Sequence, residues 1–130
     1  VQTEHKAVLD VCKYLEGNGF EITCLPVQKD GLIRIEDLRE AVKEKTILIS
    51  LMMANNENGV MQPIQEIGEI AREKGIFFFS DATQAYGKTP IDVDAMYIDL
   101  MAFSGHKIYG PKGVGGLFVR SRRPNRVKLV

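Results

Sequence analysis

Three apolar runs of strand length, residues 46–53, 76–79 and 98–103, constrain the fold more than any other feature of this chain. The first is nearly continuous rather than alternating, as expected for a parallel strand covered on both faces. A helical pattern lies between the first run and the second. Pro63 opens it, Ile64, Ile67, Ile70 and Ala71 recur on one face, and Gly75 closes it. Alternation of strand and helix implies βαβ units with right-handed crossovers. The expected class is therefore α/β, three layers deep (α/β/α), with a mostly parallel sheet.

Each run ends in a polar set. Asn55 and Asn56 follow the first, Asp81 and Gln84 the second, and Ser104, His106 and Lys107 the third. In a parallel sheet the carboxyl ends share one edge, where open α/β sheets bind their ligands. The three sets should meet there. Taken singly each has an ordinary explanation: turn chemistry for the asparagines, a helix N-cap for Asp81, an exposed turn for Lys107.

The remaining elements follow from periodicity. Val8, Leu9, Val11, Cys12 and Leu15 predict a helix that stops at Gly17-Asn18-Gly19, with Thr3 as N-cap and His5 in the first turn. Residues 20–27 read as a short strand carrying Cys24, and Cys12 reads as core. After a turn at Gly31, the spacing of Ile35, Leu38, Ala41 and Val42 predicts a second helix. Residues 116–119 read as a strand, and residues 126–130 as the start of another. The basic run Arg120, Arg122, Arg123, Arg126 and Lys128 reads as a solvated loop.

Composition excludes several classes. With 17 Lys and Arg against 17 Asp and Glu the net charge is zero, so bulk electrostatics favour neither nucleic acid nor an anionic membrane as partner. No apolar run reaches the length of a membrane span. Two cysteines make no disulfide framework and fit a reducing compartment, read here as the cytoplasm. Cys12, Cys24, His5 and His106 lack the close pairs of a zinc site, so no metal is expected. The 130 residues make about one domain, and the chain reads as cut at both ends.

The carboxyl-edge residues suit one kind of chemistry. A lysine held in partly apolar surroundings can lose its proton and attack a carbonyl carbon. Glycines let backbone approach a ligand, while hydroxyl, imidazole and main-chain N–H groups donate to phosphate. An acid beside a pyridine nitrogen keeps it protonated, and a flat imidazole can stack on the ring. These parts suit pyridoxal 5'-phosphate (PLP), although chemistry alone does not choose it over another phosphate-bearing ligand. A nucleotide loop at Gly110-Pro111-Lys112-Gly113 is disfavoured, because it lacks Gly-Lys-Ser/Thr and precedes a strand.

The motifs Thr3-Glu4-His5-Lys6-Ala7-Val8-Leu9-Asp10, Asn55-Asn56-Glu57, Asp81-Ala82-Thr83-Gln84 and Ser104-Gly105-His106-Lys107-Ile108-Tyr109-Gly110-Pro111-Lys112-Gly113 occur in that order. Together they resemble the cysteine desulfurases, PLP-dependent enzymes of the class-V aminotransferase type, in the branch serving iron–sulfur cluster assembly. The resemblance implies that residues 1–130 are the central part of the large domain of a fold type I PLP enzyme. It implies that Lys107 bonds the cofactor and moves the substrate α-proton. His5 would stack on the ring and assist proton transfer, and Asp81 would pair with the pyridine nitrogen. Gln84 would bond the ring hydroxyl, and Asn56 would lie near that hydroxyl and the substrate carboxylate. Ser104, Gly105 and His106 would hold phosphate. The implied substrate is L-cysteine, the products alanine and a persulfide, and the partners a sulfur-acceptor protein and a second subunit of a homodimer. The family's persulfide-forming cysteine and its substrate-binding arginine would lie beyond Val130, so the 130 residues alone are expected to be inactive. Competing readings are a selenocysteine lyase, a related PLP aminotransferase or lyase, or a non-catalytic scaffold.

Overall fold

The computed structural model describes residues 1–121 and 127–129. Its elements run in the order α1 (Lys6–Gly17), α2 (Ile35–Ala41), β1 (Leu48–Met52), α3 (Ile64–Lys74), β2 (Phe77–Asp81), β3 (Leu100–Ser104), a 3-10 turn (Gly105–Ile108) and β4 (Gly115–Val119). The four strands form one sheet in the order β1-β2-β3-β4. The pairs β1/β2 and β2/β3 are parallel, and β3/β4 is antiparallel. The expected α/β class with a mostly parallel sheet is what the chain forms.

One face of the sheet carries the core. Ile49 and Leu51 of β1, Phe78 and Ser80 of β2 and Met101 of β3 are buried there, while Leu48, Phe77 and Leu117 on alternate positions stay exposed. That split is the period-two alternation of a strand. Helix α3 buries Ile64, Ile67, Gly68, Ile70 and Ala71, the face its spacing predicts, and Gly75 ends it at φ 68°. Gly68 lets the helix lie against the chain that follows β2. A Cβ built there would stand 2.0 Å from the Met96 carbonyl oxygen.

Buried polar groups fasten the ends of the sheet. The Phe78 N–H donates to Asp99 Oδ2 at 3.0 Å, and Ser80 Oγ donates to the Leu51 carbonyl at 3.0 Å. Arg120 donates to the carbonyls of Val93 and Ile98, pairs with Asp94 at 2.6 Å and lies 3.4 Å from Asp99. This corrects the expectation of a solvated basic loop at Arg120, because the guanidinium is drawn in by the Val93 and Ile98 carbonyls and by the carboxylates of Asp94 and Asp99. Arg122, Arg123 and Arg126 lie outside the described residues.

Three further expectations change. Residues 20–27 form no strand: no strand among the described residues runs alongside them, and the Leu25 carbonyl accepts instead from Gln2 N–H at 3.0 Å. Cys24 is consequently exposed, and Cys12 is half-buried because α1 buries no residue completely. The N-cap of α1 is His5, not Thr3, since the helix starts at Lys6 and His5 Nδ1 accepts the Ala7 N–H at 3.2 Å. Residues 127–129 are irregular, and Val127 N–H donates to the Arg120 carbonyl at 3.0 Å; residues 126 and 130 of the strand expected there lie outside the described residues.

Gly68→Ala should separate packing from helix propensity. Alanine gains about 1 kcal/mol of propensity over glycine, but here it must displace backbone, an overpacking cost of about 1–3 kcal/mol or more. A lower urea midpoint for Gly68→Ala is expected, and an unchanged or higher one would show that the contact yields.

Candidate active site

The parallel registers bring the strand ends level. Met52 pairs with Asp81, and Asp81 with Ala102. Asn55, Asp81 and Ser104 therefore stand at one edge, as expected from parallel strands. Beyond Ser104 the chain turns at once into the 3-10 turn that carries His106 and Lys107, both exposed.

The turn is held from inside. The Gly110 N–H donates to the Gly105 carbonyl at 2.9 Å, and Gly105 N–H to the Val114 carbonyl at 2.8 Å. A Cβ on Gly110 would meet the Gly105 oxygen at 2.8 Å, so only glycine closes this loop without strain. Since its N–H is already used, Gly105 offers the loop close packing and no free main-chain donor. Ser104 Oγ and His106 Nδ1 lie 2.7 Å apart. If Nδ1 accepts, the ring's Nε2–H remains a donor; if Nδ1 donates, the hydroxyl proton remains. Either tautomer leaves one donor for an anion.

Asp81 is half-buried at the end of β2, and its Oδ1 accepts the Thr83 N–H at 2.9 Å. Its second oxygen makes no hydrogen bond among the described residues. Three residues on, Gln84 is half-buried and its Oε1 accepts from Lys88 Nζ at 3.2 Å, so its amide N–H groups remain to donate. His5 is exposed; because Nδ1 caps α1, the neutral ring carries its proton on Nε2. Lys107 enters no ion pair among the described residues.

The two asparagines have different surroundings. Asn56 is exposed, with no side-chain hydrogen bond among the described residues. Asn55 builds the loop: its Oδ1 accepts Glu57 and Asn58 N–H groups at 2.9 and 3.1 Å, and its Nδ2 donates to the Thr3 carbonyl at 2.9 Å. Sequence reasoning also passed over Glu4, whose Oε1 accepts the Met52 N–H at 2.8 Å. These two contacts join the segment before α1 to the end of β1, and so bring His5 to the carboxyl edge. Their only sequence signal is an acid next to a histidine and a doubled asparagine.

Cys12 does not have the surroundings of an activated nucleophile. Burial pushes the Cys12 thiol up, and neighbouring Cys24 adds to the rise. A hollow of about 330 Å³ on α3, lined by Glu69, Arg72, Glu73 and Tyr97, shares no residue with the carboxyl-edge set. Among the described residues no helix is long and apolar enough to cross a membrane.

Comparison with known proteins gives this geometry a context. The family model for aminotransferase class V matches residues 1–128. The chain is 57% identical over 129 residues to the cysteine desulfurase IscS of Ehrlichia chaffeensis, covering 99% of this chain and 31% of that protein. It is 57% identical over 128 residues to a mitochondrial cysteine desulfurase of Candida albicans, covering 98% of this chain and 26% of that one. Among solved structures it superposes on SspA in complex with cysteine with a TM-score of 0.91 at 46% identity, over 98% of this chain and 37% of SspA. DndA from Streptomyces lividans matches with a TM-score of 0.84 at 43% identity, over 92% of this chain and 33% of DndA. The chain thus spans 31% and 26% of the length of the two curated relatives.

The two thiols should differ in reactivity. Iodoacetamide at neutral pH is expected to alkylate exposed Cys24 first and half-buried Cys12 more slowly, because the thiolate is the reacting form and burial disfavours it at Cys12. Mass mapping of the two peptides over time measures this, and equal rates would contradict the burial of Cys12.

Proposed function

From its membership of the aminotransferase class-V family, we infer that this chain is the central part of the PLP-binding large domain of a cysteine desulfurase. In this reading the whole enzyme converts L-cysteine to L-alanine and passes the sulfur on as a persulfide for iron–sulfur cluster assembly. The observation that carries it is the level ending of three parallel strands, which sets Asp81 and Ser104 on one edge with Lys107 in the turn that follows. Among the described residues the donor set fits the cofactor: a carboxylate with one oxygen unbonded, free amide donors, a hydroxyl–imidazole pair with one donor to spare, and an amine without a counter-ion.

When bound, PLP supplies an aldehyde for covalent attachment and a ring that takes up the electron pair left by a departing proton. Lys107 would hold that aldehyde through its amine and would carry the proton of the substrate α-carbon. The unbonded oxygen of Asp81 keeps a proton on the pyridine nitrogen, which sustains the ring's pull on electrons. Gln84 would donate its amide to the ring hydroxyl, and Asn56 would lie near that hydroxyl and the substrate carboxylate. Ser104 and His106 together present their spare donor to the phosphate, with Gly105 packed close beneath them. His5 would lay its imidazole on the ring and would hold or release a proton at Nε2. The proposed partners are a sulfur-acceptor protein and a second copy of the parent chain, and the proposed compartment is the cytoplasm, in keeping with two free thiols.

Borohydride reduction of the full-length protein should trap the cofactor on Lys107, as read by peptide mapping; a label elsewhere removes Lys107 from its role. Asp81→Ala should slow exchange of the substrate α-proton by about a hundredfold while cofactor occupancy falls far less. An unchanged exchange rate would take Asp81 out of the site.

The 130 residues by themselves should not desulfurate cysteine even with PLP supplied. The attacking thiolate must reach the substrate sulfur, yet the Cys12 thiol is pushed up by burial and Cys24 lies outside the strand ends. Alanine and sulfide formed above a free-PLP control, and lost in Lys107→Ala and in Cys12→Ser or Cys24→Ser, would make one of these cysteines the nucleophile.

A further inference from the structure

Four polar side chains are buried among the described residues, Glu4, Gln62, Ser80 and Asp99. Gln62 accepts from Ile33 N–H and donates to the Gly31 carbonyl, Ser80 donates to Leu51, and Asp99 accepts from Phe78. Glu4 differs. Its carboxyl is 2% exposed and its Oε2 has no hydrogen-bond partner among the described residues. An unsatisfied buried group calls for an explanation.

The explanation lies in what Glu4 joins. The Met53 N–H crosses to the Asp81 carbonyl at 2.8 Å, so the neighbouring Met52 N–H turns to the other side of β1. The Glu4 carboxyl receives it there at 2.8 Å, and the Val1 nitrogen lies 3.3 Å from the same oxygen. One residue earlier, the Thr3 carbonyl is held by Asn55 at 2.9 Å. Residues 3 and 4 are thus both fastened to the end of β1. The side chain of His5 makes no such tie; its hydrogen bond goes to its own helix. The place of His5 is set by its neighbours.

We propose that Glu4 is the positioning residue for His5, its buried carboxyl holding the start of α1 on the β1 edge so that the imidazole stands over the cofactor ring. This rests on the PLP reading above. Burial raises the Glu4 carboxyl above the usual range, the amino group of Val1 and the Met52 N–H oppose this, and the Asp81 carboxylate adds to the rise. In a longer chain the Val1 nitrogen is a peptide N–H, which keeps the donor and removes the opposing charge. What Glu4 supplies is an acceptor of fixed reach, which glutamine also supplies and leucine does not.

The test uses the full-length PLP-loaded protein and four variants, His5→Ala, Glu4→Gln, Glu4→Leu and the double Glu4→Leu/His5→Ala. The readouts are the absorption band and induced circular dichroism of bound PLP, which report the group stacked on its ring. Glu4→Leu is expected to move both signals most of the way to those of His5→Ala. The double variant should go no further than His5→Ala alone, the non-additivity of residues acting as a unit. Glu4→Gln should keep the wild-type signals. Wild-type signals in Glu4→Leu, full additivity in the double, or a Glu4→Gln that behaves like Glu4→Leu would each overturn the proposal. Should Glu4→Leu not fold, Glu4→Asp, which withdraws the carboxyl by one methylene, takes its place with the same expected displacement. The His5 ring resonances in cofactor-free protein give a second readout, expected to shift in Glu4→Leu and not in Glu4→Gln. A wild-type protein without any cofactor signal would refute the PLP reading, whereas unshifted His5 resonances in Glu4→Leu would refute the positioning role by itself.

Discussion

Parallel pairing of β1, β2 and β3 is the constraint from which the site derives. Parallel strands must all be entered from the same end, so each crossover returns the chain to the start of the sheet. Whatever follows each strand is then delivered to the opposite edge. With Met52, Asp81 and Ala102 in register, residues far apart in sequence become neighbours on one rim. An antiparallel arrangement of the same strands would send alternate polar sets to opposite ends.

The pairing is secured by polar groups as much as by apolar ones. Asp99 and Arg120 satisfy main-chain groups at the entering end of the sheet, where β2 and β3 begin and β4 ends. Glu4 and Asn55 do the corresponding work at the carboxyl edge. The apolar core under one face supplies the bulk of the driving force, since Ile67, Ile70, Phe78 and Ile98 are fully buried. Hydrophobic burial is non-directional, and it is the hydrogen bonds of these few side chains that fix where each strand starts and stops.

Local pattern made most of the elements legible, and the failures have a common cause. Helix α3 follows the sequence because its stripe, its opening proline and its closing glycine all agree. Residues 20–27 have a strand's composition, but a strand exists only beside a partner. Thr3 has a cap's chemistry, but the helix begins too late for it, and His5 takes the position. Arg120 looks like one of several surface cations, yet it closes on carbonyls of residues 93 and 98. In each case the deciding group lies elsewhere in the chain.

The sequence by itself determined the α/β class, the three principal strands, the helix between the first two, and the identity of the polar sets that end the strands. Those properties depend on hydrophobic period and on turn chemistry, which are local. Tertiary structure decided which of the paired asparagines builds the loop, why Gly105 has no free N–H, and that Glu4 is buried against Met52. A hydrogen bond between residues 4 and 52 leaves no periodic trace, because its geometry exists only after the sheet has brought the two segments together.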